Sequence, residues 1–118
     1  MIAHVVLFRP KADLDPSSRG ELASAFEDAI HAIPSIRRAR IGPRVMHGRP
    51  YEALMRSNYP YAAVLEFDDL SGLEAYLEHP AHERLASRFF DAFEDALMYD
   101  FNLQEGATGL AAALASPP

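Results

Sequence analysis

The fold is decided by the stretch IAHVVLF, residues 2–8, in which every side chain except that of His4 is apolar. β-Branched and aromatic residues favour extended backbone, so this segment predicts a β-strand. Successive side chains of a strand point to opposite faces, and here the face that holds Val6 is as apolar as the face that holds Val5. A strand with two apolar faces must be covered on both sides. The sequence therefore predicts a sheet with helices on one face and further protein on the other.

The rest of the chain predicts an alternation of helices and strands around this segment. Asp15 and Pro16 are residues that favour the start of a helix, and Pro34 ends that helix because the residue before a proline leaves the helical region. Gly42-Pro43 interrupts the second strand and indicates a bend or an edge position. The complete predicted set is strand 2–8, helix 16–33, strand 35–46, strand 60–67, helices 70–78 and 80–92, and strand 95–103.

This order of elements, β-α-β-β-α-β, is that of the ferredoxin-like plait, an α+β fold. The helices are expected on one face of a four-stranded antiparallel sheet. Apolar residues such as Val64 and Leu97 would then leave a patch on the other face that is larger than monomers usually expose. A two-fold homodimer that packs two such sheets face to face would cover this patch. We therefore predict a dimeric α+β barrel.

The connection between the second and third strands carries an apolar stripe of its own. Pro50 can begin a short helical piece within residues 47–58, and Tyr51, Leu54 and Met55 would share one side of it. A minimal plait has no core position for this stripe. We expect the connection to cover the mouth of a pocket or to contact the partner subunit, as longer loops often do.

The end of the chain changes character after Gln104, where glycine, alanine and other small residues dominate. Such a segment has few large side chains to bury. We therefore expect one domain over residues 1–103 and a mobile tail over residues 104–118. The tail is expected to form at most one helical turn, around Leu110–Leu114.

Composition excludes several classes of function. The chain has 118 residues, of which 49% are hydrophobic, and its net charge of −6 disfavours binding to nucleic acids or anionic membranes. It contains no cysteine, which excludes a disulfide framework, a zinc ribbon and a thiol nucleophile. We find no targeting signal and no apolar run long enough to span a membrane, so a cytoplasmic location is expected.

A series of motifs occurs in an order that is typical of one family. The motifs are HVVLF at residues 4–8, Ile33-Pro34, Gly42-Pro43, YAAVLEF at residues 61–67, YLEHPAH at residues 76–82, and Asp100-Phe101. The set resembles the stress-responsive A/B barrel domain family, or Dabb family, over roughly residues 1–103. The YLEHPAH segment is the most specific part of the match.

The resemblance implies a dimeric α+β barrel with a small pocket in each protomer, between the sheet and the helices. Many members of the family have no known reaction and carry only a stress-response label. Polyketide cyclases of the family, of the olivetolic acid cyclase type, use a tyrosine and a histidine as acid and base. These positions match Tyr76 and His82, and a second pocket histidine matches His4. The cyclases have a tyrosine on the first helix where this chain has Phe26, so their substrate does not carry over.

The three candidate residues also have plain structural interpretations. His4 lies on an apolar strand face, where it is either a core residue with a satisfied ring nitrogen or a group that binds a ligand oxygen. His82 is either hydrogen-bonded for structure or a neutral imidazole that takes a proton. Tyr76 precedes His82 by six residues. On an unbroken helix, this spacing would place the two side chains about 240° apart around the helix axis. The break at Pro80 leaves this geometry open, and the alternative is that the Tyr76 hydroxyl lies at a helix rim.

His79 has the spacing to share a face with His82, but two ligands do not make a metal site. The simpler interpretation is that His79 caps the helix that begins at Pro80. We therefore expect no metal and no cofactor.

Three functions are compatible with these features. The first is a Dabb-type small-molecule-binding protein, associated with stress and without an assigned reaction. The second is a cofactor-independent cyclase or lyase that acts on a polyketide-like or phenolic substrate, with His82 as base and with Tyr76 and His4 orienting oxygens. The third is a dimeric interaction module without a working site. In the first two, an apolar or aromatic ligand would contact walls formed by Val6, Phe26, Leu85 and Phe89.

Overall fold

The structure is a computed structural model that describes residues 1–116. Its strands are β1 (Ile2–Pro10), β2 (Arg38–Pro43), β3 (Tyr61–Phe67) and β4 (Phe93–Asn102). Its helices are α1 (Pro16–Ala32), α2 (Leu70–Glu78), α3 (Pro80–Ala92) and α4 (Leu110–Ala115), with a short 3₁₀ helix over Pro50–Leu54. Within residues 1–116, no helix combines the length and the apolar character that a membrane crossing requires.

The four strands form one antiparallel sheet in the order β2-β3-β1-β4. β1 is central, with Val6 opposite Ala63 of β3 and His4 opposite Asp100 of β4. This topology confirms the predicted ferredoxin-like α+β plait. It also confirms that the strand at residues 38–43, with its alternating arginines, is an edge strand.

The core lies between the sheet and the helices. Phe8 of β1 and Phe67 of β3 point towards the helices and are almost completely buried, as is Ile33 at the end of α1. Asp15 accepts a hydrogen bond from the Ser18 backbone N–H at 2.7 Å, which satisfies one of the free donors at the start of α1. The helix boundaries therefore follow from the caps that the sequence provides.

The opposite face of the sheet is apolar and open. In register, Val5 lies between Val64 of β3 and Tyr99 of β4, and Leu97 lies opposite Leu7. Tyr99 is 56% exposed, and Phe101 beside it is also exposed. This is the surface on which the predicted homodimer depends.

Two sequence-based predictions about the elements are wrong in detail. The strand predicted over 35–46 covers only Arg38–Pro43, because residues 34–35 form a turn and the ladder with β3 stops at the Pro43–Tyr61 pair. The leucine spacing in α2 predicts that Leu70, Leu73 and Leu77 point inward. Leu73 is buried, but Tyr76 takes the second inward position in place of Leu77. Leu70 also points outward, so the face that α2 turns to the sheet is centred on Leu73 and Tyr76.

The tail forms α4 and contributes little to the core. Leu110 and Leu114, its large side chains, are both exposed. The helical turn predicted at Leu110–Leu114 is present, within Leu110–Ala115. Pro117 and Pro118, the end of the predicted mobile tail, lie outside the described residues.

Removal of residues 106–118 is expected to change the free energy of unfolding by less than about 1 kcal/mol, because the segment buries few large side chains. Urea denaturation of the full chain and of a chain that ends at Glu105 measures this difference. Both chains keep the hydrogen bond from the Leu103 N–H to the Met1 carbonyl oxygen, which closes the end of the plait. A loss of several kcal/mol would show that α4 packs on a surface outside its own protomer.

Candidate active site

A cavity of about 170 Å³ lies between the sheet and the helices. It is mostly apolar, and its polar side chains are those of His4, Tyr76 and His82. The full lining is His4, Val6, Phe26, Tyr76, Leu77, His82, Leu85, Ala86, Phe89, Phe90 and Met98. The predicted site and wall residues, which are His4, Val6, Phe26, Tyr76, His82, Leu85 and Phe89, all line this one cavity. Leu77, Ala86, Phe90 and Met98 are further lining residues that the sequence analysis did not identify.

His4 is held by a carboxylate that the sequence analysis did not include in the site. The Nδ1 atom of His4 lies 2.6 Å from Oδ1 of Asp100, and the His4 side chain is only 11% exposed. This contact fixes the ring and leaves Nε2 as the nitrogen that is free to meet a ligand. The alternation of β4 places Asp100 on the same face as Met98, and the register with β1 then sets it opposite His4.

Tyr76 lies between the two histidines. Its ring centroid is 5.8 Å from that of His4 and 4.6 Å from that of His82, and the residue is 3% exposed. This burial argues against the alternative interpretation, in which the Tyr76 hydroxyl lies at a helix rim. Burial, and secondarily the negative charge of Asp100, raise the pKa of Tyr76 to about 12. The phenol stays protonated at neutral pH and can donate a hydrogen bond to a ligand oxygen.

A break between α2 and α3 brings Tyr76 and His82 together. His79 has extended backbone, and its Nδ1 atom accepts a hydrogen bond from the Ala81 N–H at 3.0 Å. The prediction that His79 caps the second helix is thus confirmed. Because α3 starts anew at Pro80, the six-residue spacing no longer imposes the rotation of a continuous helix. The two rings meet edge to face.

His82 is neutral at physiological pH. Partial burial lowers its pKa below the usual 6.5, and the positive charge that His4 can carry adds to this effect. A hydrogen bond with the backbone of Leu77 acts in the opposite direction, but the net shift of the pKa is downward. A neutral imidazole with a lone pair is the form that can accept a proton.

The free energy of unfolding is expected to fall as the pH drops below about 6.5, because the unfolded chain then takes up a proton at His82 that the folded chain resists. The contribution of His82 is fully present above pH 6.5 and is lost as the pH falls through the lowered pKa of the folded state. Chemical denaturation between pH 7 and pH 5 measures it. His82→Gln should flatten this part of the profile, whereas His31→Gln, at an exposed helix position, should not. Identical profiles for the wild type and His82→Gln would contradict the lowered pKa.

The connection 47–58 does not take part in the site. None of its residues lines the cavity, and Tyr51 and Leu54 are 58% and 74% exposed. The expectation that it covers the cavity mouth is therefore wrong. A contact between this connection and a partner subunit stays a prediction.

Metal ligands do not cluster in the part of the chain that the structure describes. Among residues 1–116, no group of three or more histidines, aspartates or glutamates is arranged to hold a metal ion. The arrangement of His4, Tyr76 and His82 can bind an oxygen function and can move a proton with its own side chains.

Comparison with known proteins decides the family. The model of the stress-responsive A/B barrel domain family, Dabb, matches residues 2–103. The chain belongs to the Dabb family. No curated protein matches its sequence.

Solved structures share the fold of this Dabb protein. A dimeric ferredoxin-like protein of unknown function from Thermobifida fusca is 25% identical, with a TM-score of 0.68, over 86% of this chain and 90% of that chain. A Dabb family protein from Mesorhizobium loti is 19% identical, with a TM-score of 0.68, over 87% and 96% of the two chains. A hydroxynitrile lyase from Passiflora edulis is 16% identical, with a TM-score of 0.75, over 89% and 94%. The last two identities are low enough that they establish the fold alone.

Proposed function

We propose that this Dabb protein binds a small, largely apolar molecule with an oxygen function in the cavity beside His4, Tyr76 and His82. The observation that carries the proposal is the convergence of these three polar side chains on a cavity whose other walls are apolar. Such a combination is typical of small-molecule sites. We associate this binding with the stress response after which the family is named.

The size of the cavity limits the ligand. Its volume of about 170 Å³ is close to that of an engineered apolar cavity of roughly 150 Å³ that binds benzene. The site therefore favours a single aromatic ring, or an aliphatic group of similar size, over a polyketide with several rings. The Phe26 and Phe89 rings offer edges and faces for stacking on such a ligand.

Calorimetric titration with p-cresol tests the proposal. We expect p-cresol to bind and 2-naphthol, which has two fused rings, to bind at least tenfold more weakly. Ala86→Trp should abolish the binding of p-cresol, because the indole fills the cavity from α3. Ala23→Trp, on an exposed part of α1 outside this cavity, is the matched control. If p-cresol does not bind, the interpretation as a dimeric interaction module without a working site is favoured.

A second candidate function is acid–base catalysis without a cofactor, as in a cyclase or lyase. The specific observation in its favour is that a neutral imidazole, a protonated phenol and a histidine supported by a carboxylate face the same apolar space. In this proposal His82 is the general base. Tyr76 donates its hydroxyl proton to a ligand oxygen, and His4, held by Asp100, orients a second polar group.

Cleavage of a cyanohydrin tests the lyase form of this candidate, because a structural neighbour is a hydroxynitrile lyase. Mandelonitrile has a single ring. His82 would take its hydroxyl proton, the bond between the carbinol carbon and the nitrile carbon would break, and cyanide would leave with the electron pair and be protonated to HCN. We expect release of benzaldehyde above the rate of the His82→Ala variant. Equal rates for the two proteins would rule out the cyanohydrin as substrate.

A further inference from the structure

A second cavity, of about 450 Å³, lies outside the candidate active site. It is a groove bounded by the loop between β1 and α1, by one side of α1 and by the adjoining ends of β2 and β3. Its apolar walls include Phe8, Leu22, Ile41 and Tyr61. Its volume is within the range that small-molecule sites usually have.

The groove is not covered by the predicted dimer. Ile41 pairs in register with Ala63, which is buried against the helices, so Ile41 and the neighbouring Tyr61 point to the helical face of the sheet. Both side chains are nevertheless 41% exposed. A second copy that packs on the opposite face of the sheet leaves them open. A different occupant is needed to remove this apolar surface from water.

The charged residues at the groove favour an anionic ligand. Lys11 and Arg19 line it, and no acidic residue does. The Nε atom of Arg19 donates a hydrogen bond to the Leu14 carbonyl oxygen at 3.0 Å, which anchors the guanidinium at the loop and leaves its terminal nitrogens available. Within residues 1–116, neither cation forms an ion pair with a carboxylate, although the whole chain carries a net charge of −6.

Asp15, four residues before Arg19 in the sequence, has a separate role. Its carboxylate accepts the Ser18 N–H as the cap of α1. The two cations are thus left to attract an anion from solution, and a guanidinium matches the planar geometry of a carboxylate.

We propose that this groove is a second binding site, specific for an apolar monocarboxylate whose hydrocarbon part lies along Phe8, Leu22 and Tyr61 and whose carboxylate meets Arg19 and Lys11. The proposal goes beyond the function assigned to the first cavity and does not depend on it. Phe26 lines both cavities, whereas His4, Tyr76 and His82 line only the first. The groove therefore holds a ligand that makes no contact with His82.

Calorimetric titration with sodium octanoate tests the proposal. We expect binding that weakens as salt is raised, because it includes an exposed charge pair, and at least fivefold weaker binding of the uncharged 1-octanol. Arg19→Gln should weaken octanoate at least fivefold and should leave 1-octanol unchanged. Ala23→Trp should abolish octanoate binding, because Ala23 is exposed and its added indole would occupy the groove without displacing the core.

Ala86→Trp, which fills the first cavity, is the matched control and should leave octanoate binding unchanged. Circular dichroism verifies that each variant is folded. The proposal is overturned if the wild type fails to bind octanoate at millimolar concentration, or if Ala86→Trp rather than Ala23→Trp removes the binding. It is also overturned if 1-octanol binds as tightly as octanoate, since the cations would then contribute nothing. p-Cresol binding tests the first cavity separately, so failure at one site does not imply failure at the other.

Discussion

Leu97→Asp is expected to dissociate the dimer or to unfold the protein. Leu97 lies on the open face of the sheet, opposite Leu7 and beside the apolar patch around Val64. In a dimer with two such faces in contact, the new carboxylate would be buried without a partner, which costs several kcal/mol. Val64→Asp, at the centre of the same face, should have the same effect.

Light scattering coupled to gel filtration measures the outcome. The wild type should have about twice the chain mass of 13.1 kDa, and the Leu97→Asp protein should elute at the monomer mass or aggregate. Leu70→Asp is the matched control, because Leu70 is 58% exposed on the first turn of α2, away from the sheet face. A wild type with the mass of a monomer would contradict the homodimer and would leave the apolar sheet face to be covered by something other than a second copy of the chain.

His82→Ala is expected to lower general-base catalysis in the first cavity by about 100-fold or more. The substrate that tests this without knowledge of the natural one is 5-methylisoxazole, a carbon acid with a single ring. When a base removes its C3–H proton, the N–O bond breaks, a nitrile forms, and the electron pair ends on an enolate oxygen, whose ultraviolet absorbance reports the rate. Tyr76 can donate to this developing charge, so Tyr76→Phe should lower the rate by a smaller factor, corresponding to one hydrogen bond.

The pH dependence of this rate identifies the base. His82 must be neutral to accept the proton, and its pKa lies below the usual 6.5. The rate constant should therefore be level around pH 7 and should fall only as the pH drops below about 6.5. If the rate is unchanged in His82→Ala, the proton acceptor is another group. If the rate instead rises with hydroxide concentration over the whole pH range, the base is solvent hydroxide.

The sequence predicts the fold well because its signals are local. Asp15 and Pro34 mark the ends of α1 within a few residues, and the two apolar faces of β1 predict a sheet with the helices on one face and a partner subunit on the other. Ser35 was predicted to begin the second strand but lies in a turn, because a turn and an edge strand have similar composition here. The position where the strand begins depends on the backbone geometry of the turn, which amino-acid composition alone does not determine.

The candidate site could be predicted as a set of residues but not as a geometry. Tyr76 and His82 stand six residues apart, and only the backbone at His79 determines that their rings meet. Asp100 could be recognised as the support of His4 only once the register between β1 and β4 was known. The volume of the cavity depends on how the side chains pack, which sequence spacing does not specify.

The break at His79 makes the length of the α2–α3 segment a fixed dimension of the site. An α-helix turns by about 100° for each residue, so one residue added or deleted between Tyr76 and His82 would swing one ring away from the other. The exposed connection at residues 47–58 carries no such restriction, since none of its residues lines the cavity. Variation in the length of this loop can therefore change the outer surface of the protein, whereas the arrangement of the candidate site depends on an unchanged number of residues between Tyr76 and His82.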